Sequence, residues 1–326
     1  MKYLLEKIIQ NEFLSELEAA DFIYKINEDK FNASTVSGIM VAIQMRGIQL
    51  SELKGFRKAL LELCLPLELD KTNAIDLCGT GGDGKDTFNI STCTALFLAA
   101  MDYKVIKHGN YGVSSFCGSS DVLKELGFDF HTDSKKLQSD LKQNNICFLH
   151  APLFHPALNK VAVIRKELGV KTLFNSLGPL VNPVQPTHQL TGTYSLELAK
   201  MYQHILAPER AAFQVIHGME GYDEITLIDD TRMLGKNTDS LLNSFSFLEE
   251  RNQIADLKSG SSIKEAAQII INLLKGNGSE GQNKVIAANL AVAMQLFHEK
   301  ESHTVLYDEA KAFVQSGMAN KKFKLN

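Results

Sequence analysis

Four glycines fall within six positions of the segment CGTGGDG: Gly79, Gly81, Gly82 and Gly84. Fixing a glycine costs more backbone entropy than fixing any other residue, so such a cluster implies a conformation that side chains would resist. The cluster follows the apolar, strand-like AIDLC and precedes NIST, which opens a helical run over residues 91–100. Successive glycines let backbone N–H groups converge on one concavity. A helix N-terminus adds unpaired N–H groups and a positive dipole, and both features suit phosphate. Asn89, Ser91 and Thr92 add side-chain donors, and either hydroxyl could reach a metal carried by the phosphate. No Gly-Lys-Ser/Thr closes the loop and the spacing is not GxGxxG, so neither standard nucleotide pattern applies. A glycine-rich turn without a ligand is the competing explanation.

A second segment, KHGNYGVSSFCGSSDVLKELG, repeats the theme. Lys107 and His108 are expected to emerge at the end of a strand, followed by Gly109, Gly112 and Gly118 and by Ser114, Ser115, Ser119 and Ser120. Ser119 or Ser120 is expected to cap a helix through Leu126 that Gly127 ends. Two consecutive strand–loop–helix units of this kind suggest a ligand with more than one phosphate. A solvated lysine is the alternative for Lys107. Further along, Leu158, Val161, Ile164 and Leu168 share one helical face, and Arg165 falls inside that apolar sector between Leu158 and Val161. A guanidinium aimed at a core needs an anion, such as a substrate carboxylate; snorkelling at the stripe's edge is the alternative. Asp223 and Glu224 adjoin one another just before the apolar ITLID. Adjacent loop acids are commonly just solvated, but facing a polyphosphate they could hold Mg²⁺.

The elements that must position these residues are legible in outline. Residues 1–66 read as helices only, with stripes Leu4/Leu5/Ile8/Ile9, Val36/Ile39/Met40/Ile43 started by Ser34, and Leu53/Phe56/Leu60/Leu63 capped by Ser51. Pro66 closes the region, which shows no catalytic constellation. From Asn73 onward, AIDLC, YKVIKH, NICFL, KTLF, AFQVIHG and ITLID read as short strands alternating with helices, the pattern of an α/β fold with a mainly parallel sheet. The tail from Asn283 is helical again. The expected architecture is a small all-helical domain over residues 1–66, completed by a segment near 170–190, packed on a larger α/β domain over residues 73–326.

Bulk properties narrow the partners. A chain of 326 residues with 44% hydrophobic and 22% charged residues suits two unequal globular domains. The net charge of −4 gives no reason to expect nucleic acid or an anionic membrane as partner. The N-terminus carries acidic residues too early for a signal peptide, and no apolar run approaches a membrane span. Five cysteines without a CxxC pair fit small buried residues in a reducing cytoplasm.

Together these residues resemble the anthranilate phosphoribosyltransferases over nearly the whole chain. The resemblance rests on GTGGDGKDTFNIST, KHGN with VSS and GSSDVL, FHPAL, VIRKELGVKTLFNSLGPLVNP and HGMEGYDEI, and more loosely on STVSGIMVAIQMRGIQLSELKGF. It implies a magnesium-dependent pentosyltransferase of tryptophan biosynthesis, commonly dimeric through the helical domain. Gly79, Gly82, Asp83, Thr87, Asn89, Ile90, Ser91 and Thr92 would hold phosphoribosyl pyrophosphate. Lys107, His108, Gly109, Asn110, Tyr111, Gly112, Val113, Ser114, Ser115 and Ser119 would continue that site. Ser91, Asp223 and Glu224 would bind Mg²⁺. Gly79, Asn110 and Arg165 would contact anthranilate, with His108 as the acceptor of its late proton and Lys107 stabilising the leaving charge. Many members carry Arg where this chain has Tyr111, and often another basic residue near Phe116. A pyrimidine nucleoside phosphorylase of the same fold, or a non-catalytic relative that binds nucleic acid, stands as the alternative.

Overall fold

The computed structural model describes residues 2–112 and 117–325. Four helices come first: α1 (Lys2–Ile9), α2 (Glu16–Asn27), α3 (Ala33–Arg46) and α4 (Leu50–Glu62). The caps differ from those expected. Asn32, not Ser34, caps α3 by accepting from the Thr35 N–H at 2.8 Å. Gln49 precedes α4, while Ser51 points away and donates to the Leu14 carbonyl at 2.9 Å. For α3 the upstream Asn32 satisfies the first turn, whereas at α4 the Gln49 N–H donates to Glu52 Oε2 at 2.9 Å.

The α/β part carries β1 (Ala74–Gly79), α5 (Ile90–Ala100), β2 (Lys104–Gly109), α6 (Ser119–Glu125), α7 (Ser134–Asn144), β3 (Ile146–His150), α8 (Ala151–Phe154) and α9 (Pro156–Leu168). Then come β4 (His188–Gly192), α10 (Leu196–Leu206), β5 (Ala212–Gly218), β6 (Thr231–Leu234) and β7 (Asp239–Leu242). The chain ends in α11 (Ile263–Leu274), α12 (Glu280–Gln295), α13 (His303–Gln315) and α14 (Ala319–Phe323). The strands form one sheet in the order β3-β2-β1-β4-β5-β6-β7. The first five are parallel, and β6 and β7 add an antiparallel edge. Chain progression runs outward in opposite directions from the β1/β4 pair, so a switch point lies there, where α/β sheets bind ligands beyond their carboxyl ends.

Two expected strands are absent. KTLF becomes a 3₁₀ turn, Leu173–Ser176, because Thr172 and Asn175 close a capping box ahead of Gly178-Pro179. ITLID forms no strand: Asn289 from α12 takes both main-chain groups of Ile225, at 3.4 and 2.8 Å, and Leu227 adopts φ 61°. A side chain thus supplies what a neighbouring strand would. Three strands went unread, namely β4, β6 and β7. HQLTG and TRML are polar enough to lack an apolar run, yet β4 is entirely buried at the sheet centre.

One apolar core lies under α5, α11, α12 and α13 against one sheet face. A second joins the four N-terminal helices to Val161 and Ile164 of α9, to Leu173–Val181, and to Tyr202 and Ile205 of α10. The N-terminal helices are therefore continuous in packing with the segment that carries Arg165 and with the turn that follows it.

Candidate active site

A cleft of ≈ 240 Å³ opens at the carboxyl ends of β1 and β2. Its first wall is the glycine loop. Gly81, Gly82 and Gly84 adopt φ values of 60°, 69° and 75°, the left-handed region that side chains avoid, which explains the cluster. Gly79 is required for a different reason: a Cβ there would overlap the Asp223 carboxylate. The loop leads into α5, whose first residue is Ile90 rather than Ser91. Asn89 does not cap the helix by its side chain but reaches across to the Cys117 carbonyl at 3.3 Å.

Every sequence-predicted site residue that is described lines this cleft: Gly79, Gly82, Asp83, Thr87, the run 89–92, the run 107–112, Ser119, Arg165, Asp223 and Glu224. Val113, Ser114 and Ser115, with Phe116, lie outside the described residues. Lys107 does not emerge at a strand end as expected. It lies within β2, is only 2% exposed, and its Nζ donates to the Leu77 carbonyl. Strand alternation turns it under the glycine loop, where its charge opposes the upward shift of Glu224. Neither Ser119 nor Ser120 caps α6; Gly118 precedes it, while Ser119 Oγ donates to the Asn110 carbonyl at 3.3 Å and Ser120 pairs with His150 Nδ1 at 2.8 Å.

The carboxylates are held by backbone. The Gly81 N–H donates to Asp223 Oδ2 at 2.6 Å, and the Ser91 N–H donates to Glu224 Oε1 at 3.2 Å. Burial, then the nearby Asp83, pushes Asp223 up to about 7; burial, then Asp223, pushes Glu224 up to about 8. Acids crowded this way favour a cation between them. Among the described residues, no three His, Cys, Asp or Glu side chains converge as a metal cage. The pair instead offers the one or two hard oxygen ligands that Mg²⁺ takes from protein when phosphate and water complete its shell.

The same cleft is lined by His108, Arg165, Phe174, Asn175, Gly178 and Pro179. His108 Nδ1 lies 3.2 Å from the Gly178 carbonyl, which can only accept, so the proton sits on Nδ1 and Nε2 carries the lone pair. Burial, with His155 beside it, pushes His108 down to about 3. Arg165 is 9% exposed, forms no ion pair among the described residues, and places its guanidinium 5.8 Å from the Phe174 ring. Four buried polar atoms of the cleft have no partner among the described residues: Thr80 Oγ1, Asn89 Oδ1, His108 Nε2 and Arg165 Nε. Buried polar groups are rarely left so, and four in one cleft mark a ligand site.

Sequence reasoning missed Thr80, Lys85, Phe174, Asn175, Gly178 and Pro179. Lys85 was legible as a cation inside the glycine loop; it lies 4.7 Å over the Tyr222 ring, beside Asp223. The Gly178-Pro179 wall carries no reactive group, so only its rigidity could have signalled it.

Residues 2–64 match the helical bundle domain of the glycosyl transferase family, and residues 71–320 match that family's a/b domain. A relative from Christiangramia forsetii, named anthranilate phosphoribosyltransferase, is 44% identical over 99% of this chain and 98% of its own. The anthranilate phosphoribosyltransferase of Thermus thermophilus superposes with a TM-score of 0.88 at 31% identity, over 98% of this chain and 97% of that one. The Saccharomyces cerevisiae enzyme, solved in complex with PRPP and Mg, also gives 0.88, at 27% identity over 99% and 95%. With its cleft, its fold and these likenesses in agreement, the chain belongs to the anthranilate phosphoribosyltransferase family.

Proposed function

We propose that this cleft transfers the 5-phosphoribosyl group of phosphoribosyl pyrophosphate to the amine of anthranilate, giving N-(5-phosphoribosyl)anthranilate and pyrophosphate. The observation that carries the reading is Arg165, a buried guanidinium without an acidic partner among the described residues, set against an aromatic ring and facing a phosphate-type glycine loop. A carboxylate-bearing aromatic acceptor supplies the anion it lacks. A nucleoside substrate does not.

The glycine loop and the start of α5 hold the donor's phosphates through backbone N–H groups. Asp223 and Glu224 would hold Mg²⁺, together with Ser91, whose backbone already meets Glu224. When bound, Mg²⁺ supplies positive charge for the departing pyrophosphate. Lys107 contributes a fixed cation beneath the same site, stabilising charge that grows as the C1–O bond breaks. Arg165 grips the acceptor carboxylate and Asn110 orients the amine, which is neutral at pH 7 and needs alignment more than deprotonation. His108 Nε2 accepts a hydrogen bond from the amine; at about 3 it is too weak a base to retain the proton, which passes on to solvent or pyrophosphate.

The direct test follows the loss of anthranilate fluorescence in the complete mixture and with phosphoribosyl pyrophosphate, Mg²⁺ or protein left out in turn. Consumption in the complete mixture alone is expected. Turnover of uridine or thymidine with phosphate, and none of anthranilate, would overturn the reading.

The assembly as a homodimer through the helical domain is a further part of this proposal, supported by the exposed Tyr3, Ile9, Phe13, Leu17 and Met45 on the N-terminal helices and their connections. Sedimentation at micromolar concentration tests it. No helix among the described residues is long and apolar enough to cross a membrane.

A further inference from the structure

The cleft wall formed by Gly178 and Pro179 has no strand or long helix to hold it; it is a single 3₁₀ turn, Gly178–Leu180. Its carbonyls are held instead, one after another, by side chains from separate elements. His108 takes that of Gly178 at 3.2 Å, Gln189 Nε2 donates to that of Pro179 at 2.7 Å, and Arg57 Nε donates to that of Leu180 at 3.0 Å. The last two are joined behind the wall. Arg57 grips both oxygens of Glu209, with Nη1 at 2.7 Å from Oε1, and Glu209 lies 3.8 Å from Arg210. Arg210 Nε in turn donates to Gln189 Oε1 at 3.1 Å. Gln185 Oε1 accepts from both arginines, at 3.3 and 3.5 Å.

Two buried arginines share one carboxylate that is 35% exposed, a poor arrangement if stability were its purpose. What it provides is direction: a planar fork and an amide with both ends engaged leave the wall one position. Arg57 belongs to α4, so the N-terminal helices, which carry no reactive group at the cleft, reach its wall from behind.

We infer that Arg57 and Gln189 are positioning residues for the acceptor: they set the Gly178-Pro179 wall that faces the space beside Arg165. This rests on the acceptor reading given above. The deciding variant is Gln189→Glu, which keeps the size of the side chain and strengthens the pairing with Arg210, yet cannot donate to the Pro179 carbonyl. Steady-state kinetics with Mg²⁺ should show the anthranilate KM raised about 3- to 10-fold, the range expected from one buried hydrogen bond. The KM for phosphoribosyl pyrophosphate should stay within about twofold, although the unpaired Pro179 carbonyl lowers the melting temperature. Arg57→Lys, which keeps the charge but cannot bond Leu180 and Glu209 together, should show the same split. If Arg57→Lys does not fold, Gln189→Glu decides. An unchanged anthranilate KM in Gln189→Glu, or equal rises in both KM values, overturns the inference. Failure of the wild type to consume anthranilate overturns the proposed function instead.

Discussion

Replacing Arg165 by Met should weaken the enzyme and stabilise the protein at once. The guanidinium is buried in the cleft without an acidic partner among the described residues, and its Nε bonds to nothing there. Burial alone pushes its pKa down, the sign of a charge held at a cost in the free protein. Met fills similar volume along the stripe of Val161 and Ile164 and removes that cost; comparable exchanges of buried charge for apolar groups gain about 1–3 kcal/mol. For a chain of this length that is a rise of about 2–6 °C in melting temperature without ligands. Binding moves the other way. Hydrogen bonds to a charged group are worth about 1.5–3 kcal/mol each, and a bidentate carboxylate contact makes two. Losing them raises the anthranilate KM by about 10²- to 10⁴-fold, while the KM for phosphoribosyl pyrophosphate should change less than about twofold. The assays are differential scanning fluorimetry without ligands and fluorescence kinetics with each substrate varied. A lower melting temperature with equal changes in both KM values would show that Arg165 is structural and refute the reasoning.

Gly79→Ala should cost more than about tenfold in kcat, because the new methyl displaces the Asp223 carboxylate; near-normal kcat and Mg²⁺ dependence would exclude that contact as important. In metal-free protein, burial, with Asp83 beside Asp223 and Asp223 beside Glu224, holds both carboxyls well above their ordinary values of 3.8 and 4.5. The folded state therefore keeps protons that the unfolded chain has released, and stability falls as pH rises from about 4 to about 8. In EDTA, the melting temperature of Asp223→Asn/Glu224→Gln should gain on that of the wild type as pH rises through this window; a constant difference would remove the pair from the explanation. His108, held near 3, and His150 and His155, held near 4, are buried neutral against an ordinary 6.5. Their unfolded forms take up protons first, so the stability they lend is lost as pH falls from about 6.5 toward 4. Urea titrations of Asp223→Asn/Glu224→Gln at about pH 7 and pH 5, where the opposing carboxyl contribution is gone, check this, and equal midpoints would contradict it.

Much of the site was legible because its chemistry is local. The proposed phosphate recognition would use consecutive backbone groups, so Gly79 to Thr92 suggest it in one stretch, and Arg165 stands out by sitting in an apolar sector only turns from its neighbours. Strands with β-branched or apolar runs, such as β1, β2, β3 and β5, were readable for the same reason. ITLID was not, since Asn289, 64 positions from Ile225, supplies the partner that prevents a strand. HQLTG hid because it owes its central place to the burial around it and not to its own composition.

The amino-acid order by itself determined the α/β class, the glycine-rich loop between strand and helix, and the residue types that could bind a phosphate, a metal and a carboxylate, because each depends on periodicity or spacing within a few turns. Only the tertiary structure decided that Lys107 lies beneath the loop and not at its mouth, that Asp223 and Glu224 cap the Gly81 and Ser91 N–H groups, and that Arg165 has no acid within reach among the described residues. It also decided that Gly178 and Pro179 form a wall pinned from α4 and β4. The Asp223, Glu224 and Arg57 contacts span 142, 133 and 123 residues, and even the shorter ones, Lys107 to Leu77 and Gln189 to Pro179, join separate elements, so local propensity carries no record of such meetings.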